Sequence, residues 1–355
     1  MGPAGIPHRR RQLSRTHGWT PPFSGNREIR PLIGRRRASY SLFFRATKMH
    51  YELCGLKFAS ELPLPELLPW SGDDRPADVD IILGSVGPSL DEAIHVGPFF
   101  QASRDGSCRY EIADVAAYRI EGGRRITIAP RLPVGEPAIR VFLLGSVFGL
   151  LCHQRGLIPL HAGCVEIDGK AVAFAGNSGA GKSTLAAAFH RLGFPILADD
   201  VTVVDVNGAA RPVVLPSFPG MRLWRDTMDA LDISSGGLDR VRPDIDKYLI
   251  PIEQNPVRSP LPLSMVFHLR IAKDHRQVGD QLLAGSSALS ALLDSVYRRM
   301  SAFRMGRREA LLARLMRVLA APSVELTRIM DMDQLDATVD HMVRRVRTEM
   351  ELVSG

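Results

Sequence analysis

Cysteine is scarce in this chain: Cys54, Cys108, Cys152 and Cys164 are the four among 355 residues, and no two stand in C-x-x-C spacing. That pattern excludes a disulfide-stapled scaffold, offers no zinc-ligand set and fits a reducing cytoplasm. Long apolar runs are lacking as well. The longest, VFLLGSVFGLLC at residues 141–152, is well short of the ~20 residues that span a bilayer and reads as a buried helix. Lysine is rare, with six against 39 arginines. Internal repeats are absent, and so is the uninterrupted apolar core of a secretory signal.

What is present points to a globular protein, since 45% of the residues are hydrophobic and the length allows one large domain or two. The formal charge of +7 invites a nucleic-acid reading, yet the charge is not spread over the chain. Residues 1–48 hold eleven basic residues and one acid, Glu28, leaving 34 basic and 37 acidic residues in 49–355. The body is therefore slightly acidic, and neither a nucleic-acid nor a membrane partner is expected. Residues 1–48 are rich in Pro, Gly and Ser without amphipathic period, as expected of disorder; a start at Met49 is the first reading and a disordered basic tail the second. Deleting them should leave melting temperature and activity nearly unchanged, and a large fall in melting temperature on starting at Met49 would show a structural element there.

From Met49 to about residue 135 the patterns are those of strands and turns: DVDIILGSV, SCRYEIADVAAYRI and RRITIAP, with a turn at EGG, residues 121–123. This segment, 49–135, is expected to be a small β-rich domain. A helix is predicted from near Glu136 to a stop at Gly156. Residues 136–355 then form the expected catalytic domain. It opens with a hairpin, LIPLHAGCVEI and AVAFAG around DGK, followed by a helix from Lys182 to Gly193, the strand FPILADD and a hairpin around Asn207-Gly208. GMRLWRDTMDALDI is predicted helical, LSMVFHLRI a strand, and much of the remainder helical.

The densest chemistry lies in GNSGAGKST, residues 176–184. Gly176, Gly181, Lys182 and Ser183 occupy the fixed positions of G-x-x-x-x-G-K-[ST], between an apolar strand and a helix. Glycines let the backbone curl so that successive N–H groups face one anion, and the helix N-terminus adds partial positive charge. A chance match is expected in fewer than roughly one chain in a hundred of this composition. Gly176, Asn177, Ser178, Gly179, Ala180, Gly181, Lys182, Ser183 and Thr184 are accordingly the nucleotide-binding set. Asp199 and Asp200 end the next strand, where one carboxylate can bind Mg²⁺ while another takes the proton of an attacking hydroxyl.

The ordered set LHAGCVEIDG, GNSGAGKST and LADD, with 21 residues from His161 to Lys182 and 17 from Lys182 to Asp199, resembles the catalytic core of the bacterial HPr kinase/phosphorylase family over about residues 156–205. The resemblance implies an α/β P-loop kinase domain similar to the nucleotide domain of phosphoenolpyruvate carboxykinase, using ATP and Mg²⁺. It implies that Lys182 contacts phosphates, Ser183 binds Mg²⁺, Asp199 is the catalytic base and His161 lies beside them, with Asp200 metal-linked or supportive. The E-x-R-G-L-G signature of that family is missing, and the N-terminal region differs. The stretches PGMRLWRDTMDALDI and DKYLIP look instead like HPr-kinase-related proteins of biosynthetic operons, including those modifying lasso peptide precursors. Lys247, Arg222 and Arg225 are candidates for clamping the transferred phosphate or an acidic peptide end, against a plain exposed helix face for the arginines. The reading is a kinase of a serine-type hydroxyl on a peptide or small protein, with homo-oligomerisation left open. The alternatives are an HPr-type kinase/phosphorylase, a small-molecule kinase, and a non-enzymatic ATP-binding regulator.

Overall fold

Strand signals between Met49 and Pro130 become one nine-stranded sheet in the computed structural model, which describes residues 48–354 apart from 209, 218–219, 243–244 and 253–258. The expectations for residues 1–47 lie outside the described residues. In this sheet the period of two is visible in burial. Along Arg125–Pro130, Ile126 and Ile128 are buried, and along Ala116–Glu121, Tyr118 and Ile120 are buried. The turn at 121–123 follows from Gly122 and Gly123, both at positive φ.

The buried face is covered by the helical segment Pro137–Arg155, whose Ile139, Leu143, Val147 and Leu151 recur every four residues and join the same apolar cluster. Pro137 stands in its first turn, and Gly156 ends it in the left-handed conformation, φ 75°. One turn in its middle, Leu143–Val147, is a π-helix. By length and composition this segment could cross a membrane, but 72% of its apolar window is buried within the protein. The same cluster runs on to Val201, Val203 and Met305.

The second sheet is mixed, in the order Ile158–Leu160, Thr202–Asp205, Val213–Leu215, Leu261–Ile271, Lys170–Gly176, Ala162–Ile167, Ile196–Ala198. Lys170–Gly176 runs parallel to Leu261–Ile271, which runs parallel to Ser323–Arg328. All three therefore end at one edge of the sheet. Residues 171–175 are wholly buried, as a strand covered on both faces must be. Val172 and Phe174 pack with the helices Lys182–Arg191 and Leu335–Ser354. Ala171, Ala173 and Ala175 face the helices Gly285–Ser295 and Arg308–Val318. The architecture is thus α/β with large sheets.

Two sequence expectations change. GMRLWRDTMDALDI is not one helix: Gly220–Trp224 is a strand paired with Ile245–Pro251 in a separate three-stranded sheet, and only Arg225–Ala230 is helical. Met221 and Leu223 point into the core while Arg222 and Trp224 alternate with them, the period of two that a strand has and a helix lacks. Within the region expected to be mainly helical, the strands Gly279–Leu283 and Ser323–Arg328 extend the second sheet. The hairpin around Asn207-Gly208 forms, with a loop wider than two residues, because the Asp205 carboxylate accepts bonds from the Asn207 amide and side chain.

Candidate functional site

The glycine-rich loop leaves the strand at Gly176 and enters the helix at Lys182. Gly179 and Gly181 stand at φ 83° and 78°, a region in which an L side chain is strained. A Cβ on Gly181 would in addition overlap the Arg328 guanidinium, and one on Gly176 would press on Ala180 and the Leu269 carbonyl. Asn177, Ser178 and Gly179 are exposed. The amides of Gly181, Lys182 and Ser183 meet no acceptor among the described residues, as the first turn of a helix requires. Lys182 reaches back across the loop, donating to the carbonyls of Gly176 at 2.7 Å and Asn177 at 3.2 Å. Burial holds its ammonium below the usual lysine range, with Lys247 adding to the fall and the charges of Asp200 and Asp199 opposing it.

The two aspartates follow the strand Ile196–Ala198 and are treated oppositely. Asp199 is 5% exposed; Oδ2 accepts the Arg222 amide at 2.7 Å, and Oδ1 is buried without a hydrogen-bond partner. Burial pushes its carboxyl above the ordinary range, and the Asp200 charge pushes the same way. The Arg222 amide, Lys247 and the nearby Ser183 hydroxyl restrain that rise. For Asp200, burial also raises, but Arg222, His161, Lys247 and Lys182 together outweigh it and hold the carboxyl low. The Arg222 guanidinium pairs with it at 3.0 Å. At neutral pH Asp200 is the firm anion and Asp199 the stronger base.

His161 occupies the one-residue break between Ile158–Leu160 and Ala162–Ile167, where its amide donates to the Ser295 carbonyl at 2.7 Å. Its ring Nδ1 lies 3.2 Å from the Asp200 carbonyl and 3.4 Å from the Asp200 carboxylate. Burial and then Lys182 lower its pKa, against Asp200, which favours a neutral ring that orients Asp200. Lys247 stands across from Trp224 in the three-stranded sheet, 5.8 Å from the indole ring. Its charge acts on Asp199, Asp200, His161 and Lys182 alike.

The fold thus brings together Lys182, Ser183, Asp199, Asp200, His161, Lys247 and Arg222. Arg222 is a buried strand residue rather than one on an exposed helix face. Arg225 is not part of this cluster: it bonds Asp246 at 3.0 Å, Ser235 at 3.0 Å and the Tyr248 hydroxyl. Thr184, one turn into the helix, faces the Thr227 hydroxyl at 3.4 Å. Arg328 escaped the sequence reading. It is buried at the end of Ser323–Arg328 and donates to the Ala180 carbonyl at 2.9 Å. An alternating SVELTR gives no sign that its last residue meets a loop 148 positions earlier.

Among the described residues no group of three His, Cys, Asp or Glu side chains could by itself hold a metal. A Mg²⁺ ion here would draw further oxygens from a bound phosphate and water, as that ion commonly does. The loop's glycine cradle, which a Cβ on Gly176 or Gly181 would fill, and the Ser183 hydroxyl beside the two aspartates fit such a group.

The site sits at the edge where parallel strands of an α/β sheet end, an arrangement consistent with an α/β nucleotide-binding fold. No protein-family model matches the chain, and no curated protein matches it. Among solved structures it is similar to the HPr(Ser) kinase/phosphatase from Coxiella burnetii, with 14% identity over 54% of this chain and 98% of that one, at a TM-score of 0.31.

Proposed function

We propose that the protein is an ATP- and Mg²⁺-dependent kinase that phosphorylates a serine-type hydroxyl of a peptide or small protein, a lasso peptide precursor among the acceptors to test. The observation that carries this reading is the environment of Asp199: a buried carboxyl raised in basicity, with one oxygen unpartnered, beside Lys182 and the first turn of the loop helix. A site that only bound nucleotide would have no use for such a base.

In this reading the loop amides and Lys182 hold the phosphates, exchanging the lysine's bonds to the Gly176 and Asn177 carbonyls for bonds to phosphate oxygens. Ser183 and Asp200 would hold Mg²⁺, which when bound spreads the negative charge of the transferring phosphoryl group. Asp199 accepts the proton of the acceptor hydroxyl as its oxygen bonds to the terminal phosphorus and the β–γ bridging bond breaks. Lys182 and the loop amides stabilise the charge left on the departing diphosphate. Arg222 fixes both carboxylates, one through its amide and the other through its guanidinium.

The test is incubation with Mg·ATP and peptides ending in serine, an HPr protein as comparator, and mass spectrometry for added phosphate. Activity should rise with pH along a limb set by Asp199, because the base works only when deprotonated. Burial raises that carboxyl, so the limb should lie above the ordinary carboxylate range of ~4. A limb at or below that range would remove Asp199 from the role. Tight ATP binding with no acceptor modified in a broad screen would favour a nucleotide-binding regulator.

A further inference from the structure

Arg328 is 4% exposed, yet among the described residues no carboxylate compensates it: burial holds its pKa below the usual range. Its Nη2 donates to the carbonyls of Ala180 at 2.9 Å and Gly181 at 3.4 Å, while Nε is buried without a partner. An arginine cannot escape burial by losing its proton, and a buried cation without an anion is costly. The place is electrostatically prepared for an anion that the described residues do not supply.

Beside it lies a cleft of about 410 Å³, walled by Thr327, Arg328 and Ile329 on one side and by Thr338, His341 and Arg344 of the helix Leu335–Ser354 on the other. That volume is within the ~300–1,000 Å³ of clefts that take small molecules. His341 is engaged by Asp280 at 3.0 Å, while Arg344 is exposed and has no acidic partner among the described residues. Arg328 links the cleft to the loop, lining the first and donating to the Ala180 and Gly181 carbonyls of the second.

Strand order gives the direction. Ile196–Ala198, which carries Asp199 at its end, lies on one flank of the loop strand Lys170–Gly176, two places away. Ser323–Arg328 lies two places away on the other flank, ending at the same edge. Asp199 and Arg328 thus flank the loop on opposite sides, so a nucleotide lying along this edge with its outer phosphate beside Asp199 would have its inner phosphate and sugar on the Arg328 side.

Building on the nucleotide reading of the loop, we propose that this cleft receives the nucleoside end of the triphosphate, with Arg328 acting as a positioning residue that braces the loop carbonyls and balances the inner phosphate charge. The base and sugar then lie between the strand ends and the C-terminal helix.

Ala337, exposed on the helix and lining the cleft, is the point at which to block it. Calorimetry should show Ala337→Trp and Ala337→Glu each weakening Mg·ATP binding at least ~10-fold. Ala337→Trp should leave the affinity for Mg²⁺-bound inorganic tripolyphosphate, which has no nucleoside, unchanged. Lys182→Ala should weaken both ligands. Photolabelling with 8-azido-ATP should mark residues 326–344. If ATP and tripolyphosphate both bind wild type tightly and neither Ala337 variant alters ATP affinity, or if Ala337→Trp weakens the two ligands equally, the cleft assignment is overturned and the loop reading stands. If wild type binds neither ligand, the loop reading itself fails and the cleft assignment with it.

Discussion

Asp199→Asn should lower phosphoryl transfer by at least ~10²-fold, the contribution of a general base that takes a proton in the transition state, while Mg·ATP binds within about a factor of ten of wild type. The amide keeps the shape and can still accept the Arg222 N–H that now bonds Oδ2, but it cannot take a proton. In the proposed reading nucleotide affinity comes from the loop amides, Lys182 and the metal ligands, none of which is removed. The same substitution should raise the melting temperature at neutral pH. The folded pKa of Asp199 lies above its unfolded value because of burial, so the native state binds more protons than the unfolded one between the two pKa values. Stability contributed by this carboxyl is therefore present at acid pH and lost as pH rises through that window. An asparagine has no such loss, so the variant should gain on wild type above the window, the exchange of stability for activity expected of a buried functional charge. Transfer at the wild-type rate would move the base to Asp200 or His161. A melting temperature that falls at pH 7 and is equal at acid pH would mean that the buried carboxylate is stabilised rather than penalised.

Lys182→Ala should weaken Mg·ATP binding by ~10–100-fold and reduce turnover further, since hydrogen bonds to charged groups contribute ~1.5–3 kcal/mol each. In the structure the ammonium spans the loop mouth and bonds two of its carbonyls, so it stands where a phosphate would enter. Asn177 is exposed and Gly176 half-buried, and the substitution removes an ammonium penalised by burial, so folding stability should change little. Ser183→Ala is the contrasting variant, with the shift appearing in the Mg²⁺ concentration needed for binding. Unchanged Mg·ATP affinity by calorimetry in both variants would show that the loop is not the nucleotide site.

Much of the chemistry near the loop is legible because it is local. Spacing alone places Gly176, Lys182 and Ser183 on one strand–loop–helix turn, and a strand ending in Asp199 and Asp200 follows within 20 residues. The helix Pro137–Arg155 is equally readable, with Pro137 at its start, Gly156 at its stop and a four-residue apolar period between. Residues 220–224 are misread as helix because five residues running straight into the helical Arg225–Ala230 are too few to set their own period apart. Only its pairing with Ile245–Pro251 selects the strand. Ser323–Arg328 is short and flanked by helices, so its place in the sheet depends on Leu261–Ile271, more than fifty residues earlier.

The sequence by itself determined an α/β protein, a glycine-rich strand–loop–helix turn and the pair of carboxylates that follows it, since each depends on residues close enough in the chain to share one turn, helix or strand. Tertiary structure decided the rest: that one residue, Arg222, holds both carboxylates, that Lys247 joins them while Arg225 turns away, that burial makes Asp199 more basic than Asp200, and that Arg328 meets the loop from the far flank. Those features arise from strand pairings and burial among segments tens to more than a hundred residues apart, and a pKa shift or a buried guanidinium exists only once that packing has removed water from around the group.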